Sequence, residues 1–127
     1  MTARVLVIED NPASLELMIY LLKSLGHTAL HTRDGEEGIY IARTQLPDLI
    51  LCDVQLPGID GHEVCRQLKS HPASCAIPLV ALTACAMVGD REKMLAEGFN
   101  DYLSKPINPE KFMDQIAPFL GIQTGEG

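Results

Sequence analysis

No apolar run in this sequence approaches the roughly 20 residues that a membrane-spanning helix needs. The N-terminus, Met1-Thr2-Ala3-Arg4, leads straight into a strand-like run and lacks the apolar core of a signal peptide. Positive charge is scarce: 10 Lys and Arg stand against 17 Asp and Glu, a formal charge of −7. That balance argues against non-specific nucleic-acid binding through the bulk surface and against adhesion to anionic membranes. Cysteine is sparse and unpaired in pattern. Cys52, Cys65, Cys75 and Cys85 form no Cys-x-x-Cys pair and no tight Cys/His ligand spacing, so reduced packing thiols in a cytoplasmic protein are expected. His62-Glu63 begins like a zinc-binding helix motif, but Arg66 stands where the second His should fall. His27 and His31 lie too far apart along a strand to share a metal. Repeats and low-complexity segments are also absent.

What remains is an ordinary globular balance, 46% apolar and 21% charged over 127 residues, enough for one domain with a real core. The chain is organised around Leu49 to Gly61. Leu49-Ile50-Leu51-Cys52 is apolar throughout, as in a strand buried on both faces of a parallel sheet. It ends on Asp53, and Pro57-Gly58 then turns the chain toward a helix. Before it, Val5 to Ile8 reads as a first buried strand ending on Glu9-Asp10. Asn11 caps a helix with Pro12 at its first position, Leu15, Met18, Ile19, Leu22 and Leu25 at helical spacing, and Gly26 as its stop. His27 to Thr32 is a weaker strand nearer an edge, and Asp34-Gly35 opens a second helix that ends before Pro47. After the central strand, a third helix runs from Gly61 to Lys69 with Val64 and Leu68 inward, and Pro72 breaks it. Ile77 to Leu82 is a fourth strand ending at Thr83-Ala84. A helix over Asp90 to Glu97 turns Met94 and Leu95 inward and stops at Gly98. Asp101-Tyr102-Leu103 is a short fifth strand before Ser104-Lys105-Pro106. Asn108 and Pro109 start a last helix with Phe112, Met113, Ile116, Phe119 and Leu120 as its inner stripe, and Gly121 ends it.

Strands alternating with helices imply an α/β fold, a doubly wound five-stranded parallel sheet with helices on both faces and right-handed crossovers. Parallel strands present their carboxyl ends along one edge, where open α/β sheets hold their ligands. Here that edge carries Glu9-Asp10, Asp53, Thr83 and Lys105. Converging carboxylates repel one another unless a cation sits among them. Oxygen-only ligands from separate loops suit Mg²⁺, and no imidazole or thiolate is placed to favour zinc. Asp53 is then a candidate nucleophile, since carboxylates form aspartyl phosphates when a metal and a positive group neutralise the incoming phosphoryl. Lys105 supplies the mobile positive charge and Thr83 a hydroxyl donor. The plainer alternatives are that Asp53 merely starts a loop, or that Lys105 makes a surface ion pair with one acid.

This arrangement resembles the receiver domain of two-component response regulators over essentially the whole of Val5 to Leu120. It does so through Glu9-Asp10, Asp53 with Pro57 and Asp60-Gly61, Thr83-Ala84 and Lys105-Pro106, each after its own strand and in order. The resemblance implies a flavodoxin-like strand order 2-1-3-4-5, with a receiver domain at 1–121 and a polar tail or linker stub at 122–127. It implies that Asp53 accepts a phosphoryl group from the phosphohistidine of a sensor histidine kinase or histidine phosphotransfer protein. It further implies Mg²⁺ held by Asp10, Asp53 and the Gln55 backbone carbonyl, with Glu9 acting partly through water. Lys105 and Thr83 would contact phosphoryl oxygens, Tyr102 would be the switch aromatic, and the Lys105–Pro106 bond would be cis. A downstream protein target would read the surface of the fourth helix, fifth strand and fifth helix. Departures are small: Leu56 and Ile59 stand where the family often has Met, and Gln55 and Cys85 occupy positions that vary in the family and bear on hydrolysis. Thr83-Ala84-Cys85-Ala86-Met87 also resembles receivers of hybrid kinases and single-domain regulators.

Two rivals use related parts. A haloacid-dehalogenase-type phosphatase wants a second acid two residues after its nucleophile, where this chain has Gln55, and a cap domain for which there is no insertion. A flavin carrier of the flavodoxin kind wants a Ser/Thr/Gly-rich phosphate loop where this chain has Glu9-Asp10-Asn11-Pro12. A receiver-like module that no longer accepts phosphate is a third reading, against which the full residue set stands. The expectation is therefore a signalling acceptor rather than a turnover enzyme, with no direct nucleic-acid or membrane partner. Met1 suits a native start, while the Gly121–Gly127 tail fits a free end or the stub of a longer regulator equally well.

Overall fold

Buried apolar strands without a polar face can satisfy their backbone only inside a sheet covered on both sides. The computed structural model, which describes residues 2–84 and 89–120, has that architecture. The elements are β1 (Arg4–Ile8), α1 (Pro12–Ser24), β2 (Thr28–Thr32), α2 (Gly35–Gln45), β3 (Leu49–Asp53), α3 (Gly61–Lys69), β4 (Leu79–Thr83), α4 (Asp90–Glu97), β5 (Asp101–Ser104) and α5 (Phe112–Ile116), followed by a 3₁₀ turn over Ala117–Leu120. All strand pairs are parallel, in the order β2-β1-β3-β4-β5. The doubly wound sheet expected from the alternation is thus the observed one. Among the described residues no helix is long and apolar enough to cross a membrane.

Although β1, β3 and β4 are apolar at almost every position, the twofold period of a strand still divides their side chains. Val5, Val7, Leu49, Leu51, Val80 and Leu82 form one core with Leu15, Met18 and Leu22 of α1 and Phe112 and Ile116 of α5. Leu6, Ile8, Ile50, Cys52, Leu79 and Ala81 form the other, with Ile39 and Ala42 of α2, Val64 and Leu68 of α3 and Met94 of α4. Full burial of each of the larger side chains contributes about 1.5–3 kcal/mol, so both faces of the sheet are covered by packed helices.

Helix starts follow the capping residues. Asn11, Asp34 and Asp60 each accept a backbone N–H three residues on, from Ser14, Glu37 and Glu63. Four details depart from the sequence reading. β4 begins at Leu79, because Pro78 has no N–H to place in a ladder; its carbonyl instead accepts from Ile50 N at 2.9 Å. Leu25 is the C-cap of α1 and 51% exposed, and Leu95 is 39% exposed, so neither belongs to an inner stripe. Asn108-Pro109 opens a turn that runs into α5, with Asn108 Oδ1 accepting from Glu110 N at 2.9 Å and its carbonyl from Phe112 N at 3.0 Å, and the regular helix starts at Phe112. Having no N–H, Pro109 fits the opening of that turn as well as it would fit a helix. The predicted helix end at Gly121, the tail 122–127 and Cys85 lie outside the described residues.

Candidate functional site

Strand register decides which side chains meet. Ile8 pairs with Cys52, so the next residues, Glu9 and Asp53, leave β1 and β3 at the same level. Asp53 pairs with Leu82, and Thr83 pairs with Ser104, which puts Thr83 and Lys105 each one step beyond. The chain continues these ladders past the strands: Glu9 N donates to Thr32 O at 3.1 Å, Val54 N to Leu82 O at 3.0 Å and Lys105 N to Thr83 O at 2.8 Å. The site lies beside the β1/β3 junction, where the strand order reverses.

Lys105 is the hub. Its Nζ donates to Asp53 Oδ2 at 3.0 Å and to Glu9 Oε2 at 3.2 Å. Glu9 is wholly buried and Asp53 is 4% exposed, so these charges interact with little water between them. Glu9 Oε2 also accepts from Asn11 N at 3.0 Å. Glu9 Oε1 lies 3.0 Å from the ammonium yet is buried without a hydrogen bond. Burial, and then the neighbouring Asp53 carboxylate, hold the Glu9 carboxyl above its ordinary pKa. For Lys105, burial alone would lower the pKa, but the hydrogen bonds to Asp53 and Glu9 outweigh it and raise it. The other Asp53 oxygen, Oδ1, accepts from Gln55 N at 3.0 Å. The Lys105–Pro106 peptide bond is cis.

Gly61 sets how closely α3 approaches Asp53. Its N–H donates to Val54 O at 3.0 Å, and a Cβ there would overlap the Asp53 carbonyl oxygen and stand 2.5 Å from Val54 Cα. Thr83 is buried and lines a cavity of about 400 Å³ with Gln55, Asp60, Lys93 and Met94, beside Asp53 on the α4 side. Tyr102 is half-buried in β5, packed against the core layer that includes Met94.

Glu9, Asp53 and Lys105 are therefore brought into contact, with Gln55 and Thr83 beside them. Asp10 is not drawn into that contact: its side chain, about half exposed, faces Arg33, whose Nε donates to the Asp10 carbonyl at 3.2 Å. Among the described residues no three His, Cys, Asp or Glu side chains stand together as a metal cluster. The donor set nonetheless suits a hard cation. Two buried carboxylates share one ammonium, one carboxylate oxygen lacks a hydrogen bond, and all available ligands are oxygen. Arg33 was not among the residues singled out from the sequence. Extending the strand-end inventory to β2, which runs into Thr32-Arg33-Asp34, would have found it.

Comparison with known proteins gives the same picture over nearly the full length. The family model of the response regulator receiver domain matches residues 5–117. The polar-differentiation response regulator DivK of Brucella ovis is 40% identical over 121 residues, covering 95% of this chain and 98% of that protein. The receiver domain of the sensor histidine kinase PA1611 from Pseudomonas aeruginosa, solved with a magnesium ion coordinated in its active site cleft, is 34% identical with a TM-score of 0.86, over 96% of this chain and 100% of that one. The Vibrio cholerae chemotaxis response regulator CheY4 has a TM-score of 0.88 at 24% identity, over 94% and 100% of the two chains, a likeness of fold alone.

Proposed function

Since the chain belongs to the response regulator receiver domain family of two-component signalling, we propose that Asp53 is its phosphoryl acceptor. The donor is the phosphohistidine of a sensor histidine kinase or histidine phosphotransfer protein. The observation that carries this reading is the Asp53 carboxylate, buried at the sheet edge with Oδ2 3.0 Å from the Lys105 ammonium. A carboxylate oxygen of Asp53 attacks phosphorus, the P–N bond breaks, and the imidazole leaves with the electron pair and takes up a proton. The Gln55 N–H bond to Oδ1 fixes the orientation of the carboxylate. Lys105 follows the charge, transferring its hydrogen bond from Oδ2 to a phosphoryl oxygen, and Thr83 donates its hydroxyl to another. Mg²⁺, when bound, supplies neutralisation of the phosphoryl oxygens; Asp10, Asp53 and the Gln55 carbonyl would hold it, with Glu9 acting through water. We read the chain as a signalling acceptor, restricted to its own phosphorylation and dephosphorylation. On this reading it works in the cytoplasm and presents its state to a protein target through α4, β5 and α5.

The test is direct. With acetyl phosphate and Mg²⁺, intact-mass spectrometry should register one added phosphoryl group, labile as acyl phosphates are. Asp53→Asn should abolish it, as should chelation of the metal. Full-stoichiometry labelling of the Asp53→Asn protein would overturn the assignment.

A further inference from the structure

The sequence puts Glu9, Asp10 and Asp53 at one sheet edge, yet only Glu9 and Asp53 share Lys105. Asp10 is engaged from the other flank. Arg33 directly follows β2, the edge strand on the side of β1 away from β3, and so reaches the site opposite Lys105. Its Nε donates to the Asp10 carbonyl at 3.2 Å, while Nη2 stands 3.9 Å from Asp10 Oδ1. The two contacts differ in kind. The carbonyl bond anchors the guanidinium wherever the carboxylate turns. The contact to Oδ1 is long, and its partners are 58% and 48% exposed, so it biases an equilibrium by no more than about fivefold. An arginine can keep one arm of its planar fork on the carbonyl while the other releases the carboxylate; a lysine ammonium is a compact point charge without that fixed two-armed geometry.

From this geometry we infer that Arg33 is a positioning residue that competes with the divalent cation for the Asp10 carboxylate. The inference rests on the reading of Asp10 as a metal ligand. Anchored on the Asp10 main chain, Arg33 holds the carboxylate outward in the metal-free protein, and loading the site requires that contact to be given up. The apparent metal affinity is then the intrinsic affinity reduced by the fraction of molecules in which Asp10 is held away. Arg33 thus tunes the Mg²⁺ concentration at which the acceptor site becomes competent, without itself touching the phosphoryl group.

Mg²⁺ titrations followed by amide NMR shifts and by melting temperature test this on the full chain. Arg33→Gln should bind Mg²⁺ roughly two- to fivefold more tightly than wild type, up to the equivalent of about 1 kcal/mol. Arg33→Lys should fall between the two. Removing any nearby positive charge strengthens cation binding somewhat, so the deciding comparison is made in Asp10→Asn. That variant should bind Mg²⁺ more weakly, and adding Arg33→Gln to it should restore little or nothing. An equal gain with and without the Asp10 carboxylate would reduce Arg33 to bulk charge and overturn the inference. Unchanged or weakened binding in Arg33→Gln alone would overturn it as well. A wild-type protein with no response to Mg²⁺ would overturn the acceptor-site reading, and this inference with it.

Discussion

A buried carboxyl that holds its proton too tightly makes folding depend on pH in a direction fixed by the sign of the shift. Glu9 is such a group: burial and then Asp53 raise its folded-state pKa above the ordinary 4.5. Its contribution to stability is complete below that ordinary value and is lost as pH rises through the raised one, because the folded state resists ionisation more than the unfolded state does. Glu9→Gln removes the ionisation. In metal-free buffer at pH 7 the variant is expected to be more stable than wild type by on the order of 1 kcal/mol, a few degrees in melting temperature for a domain of this size. The gain should shrink as pH falls through the raised value and be gone below 4.5, where wild-type Glu9 is protonated in both states. It should also shrink with saturating Mg²⁺, which compensates the charge in wild type. Thermal melts across pH with and without chelator measure this. A gain that is the same at pH 4 and pH 7 would place the effect in packing rather than in charge.

At the scale of the element, α3 is positioned by a missing side chain. Gly61 is its first residue, and any Cβ there meets the main chain of Asp53 and Val54, which cannot rotate away. Gly61→Ala should therefore push α3 off the end of β3, destabilising the fold by about 1–3 kcal/mol and slowing phosphorylation. Gly58 is the control: it has φ +74 and open space around its Cβ position. Gly58→Ala should lose only the roughly 1–2 kcal/mol of a left-handed backbone and keep its phosphorylation rate. Denaturant melts and acetyl phosphate kinetics on the two variants separate these outcomes; equal rates would remove the proposed link between α3 and the acceptor. The bounds of α3 were readable in advance, because Asp60 caps it and Val64 and Leu68 mark its inner face. β3 was readable for the same reason that it is buried, an apolar run with a single abrupt end. The last helix was less so, since Asn108-Pro109 opens a capped turn as readily as a helix, and here that turn precedes the regular helix, which begins at Phe112. The site shows the same limit. Strand ends and register bring Glu9, Asp53 and Lys105 together, but the orientation of Asp10 depends on a guanidinium from β2's loop, which no local pattern around Asp10 encodes.

For the whole molecule the question is how a charge added at Asp53 is felt on the far side of α4. A phosphoryl group brings nearly two negative charges and strong acceptor oxygens. Thr83 sits at the end of the adjacent strand, its side chain buried at a cavity that α4 closes with Lys93 and Met94. Drawing its hydroxyl toward the phosphoryl vacates space on that side. Tyr102 pairs in register with Ala81, two residues before Thr83, and its half-buried ring packs on the same layer as Met94. It can exchange its present position for a deeper one, since a tyrosine is apolar over its face and polar only at its tip. Arg91 of α4 donates to Asp101 of β5 at 3.2 Å, an exposed bond across the surface that α4 and β5 share. On the proposed reading the coupling would be a population shift between two arrangements, of the order of 1–3 kcal/mol. Beryllofluoride with Mg²⁺, a stand-in for the phosphoryl group on Asp53, should move amide NMR signals around Asp53, then at Thr83 and Ala84, then at Tyr102. In Thr83→Ala the shifts near Asp53 should persist while those at Tyr102 largely vanish. A Tyr102 response of full size without the Thr83 hydroxyl would mean that the signal reaches β5 by another route, most directly through Lys105, which directly follows β5 and already touches Asp53.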